Sequence, residues 1–256
     1  MHENMSRNEL EGRSALVTGA SGAIGSAIAK KLSSLGANLI LTGTNQKKID
    51  NLKKELGKNT IGVTANLLKD KEIENLYEES IKKFKSIDIL INNAGTNKDA
   101  LSIRMTKEQW NEVININLSA TFKLSQLAIK SMIKQKWGRI IGISSIIGVG
   151  GNIGQANYAA SKAGLIQLTQ ALALEWAKNQ IRVNAIAPGY VLTEMNQEFF
   201  EKNSSASESI VRNIPQRRIG TPEELTGALL LLASDASSYM TGSTIVVDGG
   251  HMQASL

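Results

Sequence analysis

The chain has 256 residues, 42% of them apolar and 20% charged, a balance typical of a globular protein with a sizeable hydrophobic core. It has no cysteine and only two histidines, which excludes disulfides and thiolate metal sites and argues against a metal centre such as that of zinc-dependent alcohol dehydrogenases. The net charge is +6, but the lysines alternate with acidic residues, and no basic run interleaved with aromatic residues predicts nucleic-acid binding.

The apolar runs are too short to cross a bilayer, and the first 13 residues lack the apolar stretch of a signal peptide. We therefore expect a cytoplasmic protein that does not insert into a membrane.

Short β-branched apolar runs alternate with amphipathic segments along the chain. The predicted strands are 14–18, 37–42, 60–64, 87–92, 139–144, 181–187 and 243–248. The predicted helices are about 24–35, 46–56, 70–84, 107–135, 155–178 and 222–233. This alternation predicts an α/β fold, a Rossmann-type doubly wound parallel sheet of about seven strands with helices on both faces.

No linker, repeat or change of composition divides the chain, so residues 1–256 are predicted to form a single domain. The segment 193–215 has weaker patterning, and we expect it to be a mobile lid over the substrate.

A glycine-rich turn joins the first predicted strand to the first predicted helix. Backbone N–H groups at such a turn can face a pyrophosphate, as at other helix N-termini. The residues expected to bind the cofactor there are Gly19, Ser21, Gly22, Ile24 and Gly25. The glycine spacing in this turn differs from G-x-G-x-x-G. The evidence for nucleotide binding is therefore mainly the position of the turn after the first strand.

The end of the second predicted strand indicates which dinucleotide binds. An NAD-binding protein usually has a carboxylate here for the ribose diol, but this chain has Gly43, Thr44 and Asn45, followed by Lys47 and Lys48. These groups would accept a 2′-phosphate, so NADP(H) is favoured, with NAD(H) as the alternative. Thr44 is the predicted contact, although both lysines could be ordinary surface residues.

Six motifs in order resemble the short-chain dehydrogenase/reductase family over essentially the whole chain. They are TGASGAIG (18–25), NNAG (92–95), Asn117, Ser145, YAASK (158–162) and APG (187–189). The chain departs from the family pattern at Ala23, which occupies a glycine position. The resemblance implies further cofactor contacts at Asn66, Leu67, Asn93, Gly95, Pro188 and Val191.

Tyr158 and Lys162 lie four residues apart and therefore on one helix face. A positive charge at about 4 Å with an effective dielectric of about 20 contributes about 4 kcal/mol, which predicts that Lys162 lowers the pKa of Tyr158. By resemblance, Tyr158 donates a proton to a ketone oxygen that Ser145 also binds, and Lys162 holds the cofactor ribose. Asn117, expected near a break in its helix, would position a water that resupplies protons through Lys162.

Two predicted helices, 107–135 and 155–178, are apolar on nearly all sides. This pattern predicts that a second subunit packs against the face that does not contact the sheet. The family commonly forms dimers and tetramers, and a homotetramer is expected. The alternative is that residues 193–215 of the same chain pack against these helices.

Three segments, 92–105, 131–141 and 151–166, resemble the branch of this family that reduces 3-oxoacyl groups on acyl carrier protein. By that resemblance, Lys136 and Arg139 would form the surface that docks the carrier protein. The tail 214–256 is more similar to members that act on free sugars, polyols or small ketones. The alternatives are thus an NAD(P)-dependent dehydrogenase of a sugar acid, polyol or small secondary alcohol, and a dinucleotide-sensing binding protein without turnover.

Overall fold

A computed structural model describes residues 9–202 and 204–254, which contain a seven-stranded parallel sheet. The strands β1 to β7 are Ser14–Thr18, Asn38–Thr42, Thr60–Gly62, Ile89–Asn92, Gly138–Ile143, Ile181–Pro188 and Thr244–Val247. Their order in the sheet is β3-β2-β1-β4-β5-β6-β7. The predicted fold class and strand pattern are confirmed.

Helices follow most of the strands and flank the sheet. The helices α1 to α11 are Ala23–Ser34, Gln46–Leu56, Asp70–Phe84, Lys107–Ile114, Ala120–Gln135, Ile147–Gly150, Ala156–Trp176, Glu194–Lys202, Ser204–Asn213, Thr226–Ala233 and His251–Ala254. Within the described part of the chain, no helix combines the length and the hydrophobicity needed to cross a membrane.

Two differences from the sequence prediction concern segments that matter for function. The predicted helix 107–135 is interrupted by a π-helical turn, Asn115–Ser119, between α4 and α5. The predicted lid, 193–215, contains two helices, α8 and α9.

The sheet separates two hydrophobic clusters because successive strand residues point to opposite faces. On β1, Val17 belongs to the cluster under α1 and α10, whereas Leu16 belongs to the cluster under α3, α5 and α7. Both side chains are fully buried. Strands buried on both faces have continuous apolar sequences, which explains why they were identifiable from sequence.

The order of the strands reverses between β1 and β4, where the chain crosses from one half of the sheet to the other. In doubly wound sheets the ligand crevice lies outside the carboxyl ends of the strands at this point. The residues that follow β1, β4 and β5 therefore meet at one edge, which we call the carboxyl edge.

Candidate active site

The turn after β1 is packed too tightly for side chains at two glycines. Gly19 has φ +62°, and a Cβ there would lie 2.9 Å from the Cα of Ala94. A Cβ on Gly25 would lie only 2.2 Å from the carbonyl oxygen of Gly19. Real Cβ atoms do not approach backbone atoms so closely, so the turn requires glycine at both positions.

The start of α1 fits a dinucleotide pyrophosphate. Gly22 is the extended N-cap, its N–H donates to the carbonyl oxygen of Gly19 at 3.1 Å, and no side chain caps the helix. The backbone N–H groups of the first turn are thus available for an anion. The side chain of Ile24 packs against the core cluster instead, and Ser21 lies beside Gly43.

Thr18 joins this turn to the turn after β4, a role that sequence reasoning missed. Its hydroxyl donates to the carbonyl of Ile91 at 3.1 Å and accepts from the N–H groups of Asn93 and Ala94, both at 2.9 Å. The side-chain amide of Asn93 donates to the carbonyls of Thr18 and Gly19 at 2.9 and 3.2 Å. Asn93 therefore stabilises the walls of the crevice. The sequence feature that could have indicated the role of Thr18 is its position immediately before the first glycine of the turn.

The residues after β2 and β3 lie at the same edge. Thr44 is exposed, and the side chain of Asn45 caps α2 by accepting from the N–H of Lys48 at 3.0 Å. Lys48 also forms an exposed ion pair with Glu194 at the start of α8.

After β3, the side-chain oxygen of Asn66 accepts from the backbone N–H of Leu68 at 3.0 Å. The backbone N–H of Asn66 donates to the carboxylate of Glu72 at 2.7 Å. Leu67 packs against the core cluster below, and Leu68 is the exposed neighbour, at 46%.

The end of β6 closes the other side of the crevice. The carbonyl of Pro188 accepts from the N–H of Ile146 at 3.0 Å, which ties this strand to the loop that carries Ser145. Val191 is buried and lines a cavity of about 200 Å³ together with Tyr190 and Arg218.

Ser145, Tyr158 and Lys162 come together at the carboxyl edge. The side chain of Ser145 lies close enough to the hydroxyl of Tyr158 to favour its ionised form. Lys162 is buried, its ammonium lies 5.6 Å from the centre of the Tyr158 ring, and it donates to the carbonyl of Ile143 at 2.7 Å. A Cβ on Gly95 would lie 3.4 Å from this ammonium.

Burial dominates the ionisation of both groups. It raises the pKa of Tyr158, although the side chain of Ser145 acts in the opposite sense and the charge of Asp99 adds to the increase. Burial lowers the pKa of Lys162 to about 8. The net direction is therefore opposite to the lowered pKa expected from the Tyr158–Lys162 spacing, because the loss of solvation is the largest influence on Tyr158.

Asn117 lies in the π-helical turn and is fully buried. Its side chain accepts from the N–H of Thr96 at 2.8 Å and donates to the carbonyl of Thr96 and the hydroxyl of Ser161, both at 3.0 Å. The backbone carbonyl of Asn117 accepts from the hydroxyl of Thr121 at 3.0 Å. This residue therefore joins the turn after β4 to the helix that carries Tyr158.

Comparisons with known proteins identify the family of this chain. A family model described as enoyl-(acyl carrier protein) reductase matches residues 19–252. The chain belongs to the short-chain dehydrogenase/reductase family. It is therefore an NAD(P)-dependent oxidoreductase.

Several members of this family are similar over nearly their full length. The 3-oxoacyl-[acyl-carrier-protein] reductase FabG of Rickettsia bellii is 46% identical over 94% of this chain and 98% of the relative. The proteins of that name from Aquifex aeolicus and Salmonella typhimurium are 42% and 43% identical over 94% of this chain, and 98% and 97% of those relatives are covered. A solved structure from Agrobacterium tumefaciens, provisionally named a gluconate dehydrogenase, matches with a TM-score of 0.92 and 34% identity over 96% of this chain and 98% of that chain.

Two residues that support the site of this short-chain dehydrogenase/reductase were not predicted. A Cβ on Gly148 would lie 2.7 Å from the backbone of Lys162, so α6 can pack directly on α7. The hydroxyl of Ser144 donates to the carbonyl of Lys162 at 2.9 Å. These contacts join distant segments, and the only signal in the sequence was the proximity of both residues to Ser145.

The prediction that Arg139 belongs to a docking surface is wrong. Its side chain is only 6% exposed, stacks on Trp137 with 4.0 Å between its guanidinium carbon and the ring centre, and pairs with Asp235 at 2.7 Å. Lys136 is exposed, but it lies just before β5. The two ends of this six-residue strand are about 17 Å apart, so Lys136 lies at the edge opposite Ser145.

Proposed function

We propose that this protein uses NADPH to reduce a 3-oxoacyl thioester on acyl carrier protein to the 3-hydroxyacyl form, a step of fatty acid synthesis. The observation that carries the proposal is the meeting of the Ser145 and Tyr158 side chains beside the buried ammonium of Lys162. Two hydroxyls directed at one point can bind a single carbonyl oxygen.

The chain's residues would divide the work on the substrate carbonyl. When bound, the dihydronicotinamide supplies the hydride that forms the new C–H bond at the ketone carbon. Tyr158 donates its proton to the carbonyl oxygen, and Ser145 donates a hydrogen bond to the same atom. The raised pKa of Tyr158 keeps the phenol protonated at neutral pH, which is the form that reduction requires.

Lys162 would bind the cofactor ribose and take part in the return of a proton to Tyr158. Asn117, whose side chain is held by Thr96 and Ser161, would position a water in this relay. Reprotonation of Tyr158 completes the balance, since each turnover consumes one hydride and one proton.

The cofactor would be bound by residues at the ends of the parallel strands, in the turns that follow them and on the helix that carries Tyr158. They are Gly19, Ser21, Gly22, Ile24, Gly25, Thr44, Asn66, Leu67, Asn93, Gly95, Tyr158, Lys162, Pro188 and Val191. Preference for NADPH over NADH is supported by the absence of a carboxylate at positions 43–45 and by the exposed Lys47.

The carrier-linked substrate is supported by the names and the 42–47% identity of the curated relatives. The second candidate is oxidation of a free sugar acid, polyol or small alcohol, which the 34% identical Agrobacterium structure favours. A pure dinucleotide sensor would not require the Ser145–Tyr158 pair.

We further propose a cytoplasmic homotetramer with residues 193–215 as the substrate lid. Large side chains on two helices support a subunit interface, since Phe122 of α5 is 43% exposed and Leu174 of α7 is 85% exposed. A neighbouring subunit could bring the edge that carries Lys136 close to Tyr158.

The test is a comparison of substrates at equal enzyme concentration. Acetoacetyl and longer 3-oxoacyl carrier protein should oxidise NADPH, whereas crotonyl carrier protein, which has a double bond but no ketone, should not. The same preparation should reduce NADP+ only weakly with gluconate or polyols. Activity confined to gluconate or polyols would overturn the proposal.

A further inference from the structure

The loop that follows β4 places a carboxylate against the start of α7, the helix that carries Tyr158. Asp99 is exposed, and both of its carboxylate oxygens accept from the side-chain amide of Gln155, at 3.2 and 3.1 Å. Gln155 is the N-cap of α7, three residues before Tyr158. Asn97 also donates to this carboxylate, at 3.1 Å.

This loop is fixed against the start of α7 by backbone contacts as well. The N–H of Ala100 donates to the carbonyl of Gly154 at 2.8 Å, and the side chain of the fully buried Asn157 donates to the carbonyl of Lys98 at 3.0 Å. These bonds lie on both sides of Asp99 in sequence. The carboxylate is therefore held in place next to the helix turn that carries Tyr158.

The negative charge of Asp99 is not neutralised by a neighbour. Its donors are the uncharged amides of Asn97 and Gln155, and among the described residues it forms no ion pair. The adjacent Lys98 pairs instead with Glu112, at 3.4 Å. A substrate that approaches Tyr158 past the start of α7 therefore meets a carboxylate that has no ion-pair partner among the described residues, and the charge of Asp99 adds to the raised pKa of Tyr158.

We propose that Asp99 is a specificity-determining residue that selects uncharged 3-oxoacyl groups, such as thioesters, and rejects ketones that carry a carboxylate close to the reacting carbon. This inference rests on the proposed function. A thioester and a free 3-oxo acid present the same ketone, but only the acid carries a charge two bonds away from it. Repulsion between like charges in a partly solvated cleft is enough for such discrimination.

A second role follows from the same position. Asp99 disfavours the phenolate form of Tyr158, so it helps to keep the proton donor protonated. The other groups that face Tyr158 are the hydroxyl of Ser145 and the ammonium of Lys162. Asp99→Asn should therefore shift the alkaline limb of the pH profile of kcat/KM for reduction to lower pH.

The experiment uses the full-length enzyme and two ketones that differ in charge, ethyl acetoacetate and acetoacetate. Asp99→Asn keeps the size and an acceptor for Gln155, and Asp99→Glu keeps the charge. We expect the ratio of kcat/KM for acetoacetate to that for ethyl acetoacetate to rise about threefold to tenfold in Asp99→Asn, but not in Asp99→Glu. Added salt should raise this ratio in the wild type and leave it nearly constant in Asp99→Asn.

A ratio that is unchanged by Asp99→Asn, or independent of salt in the wild type, would overturn the inference. Thermal unfolding of each variant identifies a general loss of structure, which would lower both kcat/KM values together without changing their ratio. Failure of the proposed function is separate, since it would appear as absence of turnover with 3-oxoacyl carrier protein in the wild type.

Discussion

Replacement of Lys162 by methionine should stabilise the cofactor-free protein while it abolishes turnover. Lys162 is only 4% exposed, and burial lowers its pKa from the ordinary 10.5 to about 8. At 1.36 kcal/mol for each pKa unit, this difference corresponds to about 3 kcal/mol of unfolding free energy that the charged lysine costs the folded state. The cost is fully present below pH 8 and disappears above pH 10.5.

Methionine has a similar length and no charge, but it leaves the carbonyl of Ile143 without the donor that now lies at 2.7 Å. The loss of that hydrogen bond costs about 1 kcal/mol. The net expectation is that Lys162→Met is about 2 kcal/mol more stable than the wild type at pH 7. Since the wild type gains stability as it loses the proton, the difference should vanish near pH 10.

Urea unfolding at fixed protein concentration, without dinucleotide, measures this difference at pH 7, 8.5 and 10. Lys134→Met is the matched control, because Lys134 is exposed on α5. Its stability relative to the wild type should not change between pH 7 and 10. A Lys162→Met protein that is less stable than the wild type at pH 7, or a difference that does not depend on pH, would refute the reasoning.

Three further outcomes follow from the packing and charge of the site. Gly25→Ala should weaken dinucleotide binding more than about tenfold and lower the melting temperature, because its Cβ would overlap a carbonyl oxygen of the turn, whereas the unobstructed Gly227→Ala should do neither. Thr44→Asp should lower the ratio of kcat/KM for NADPH to that for NADH about tenfold or more. An unchanged ratio would show that the 2′-phosphate does not bind near Thr44. Asp235→Asn should lower the urea unfolding free energy by about 1–2 kcal/mol, since it removes the carboxylate that pairs with the buried Arg139, and a neutral effect would contradict that role.

The centre of the sheet was predictable because its strands are buried on both faces. In Ile89–Asn92, for example, every residue is buried, and the first three residues form the apolar run that such a strand requires. A break in the helix near Asn117 was expected from the family resemblance, but the π-helical turn, Asn115–Ser119, has no signature in the local pattern. Asn117 bonds there to Thr96, 21 positions away in the chain, and no local pattern indicates that contact.

The motif residues of the site were recognisable, but their surroundings were not. Tyr158 and Lys162 are four residues apart on one helix, so their proximity followed from helix geometry alone. The pKa of Tyr158 depends on burial and on Asp99, which belongs to another loop. The burial of Arg139 likewise depends on Asp235, 96 positions away, and no local pattern indicates that contact.

Proton transfer from Tyr158 to a carrier-linked 3-oxoacyl group is tested most directly by the turnover of Tyr158→Phe with acetoacetyl carrier protein and NADPH. We expect kcat to fall by about a thousandfold, while the Kd for NADPH, measured by fluorescence titration, changes less than about threefold. Turnover within about tenfold of the wild type by the phenylalanine variant would contradict the assignment of Tyr158 as the proton donor.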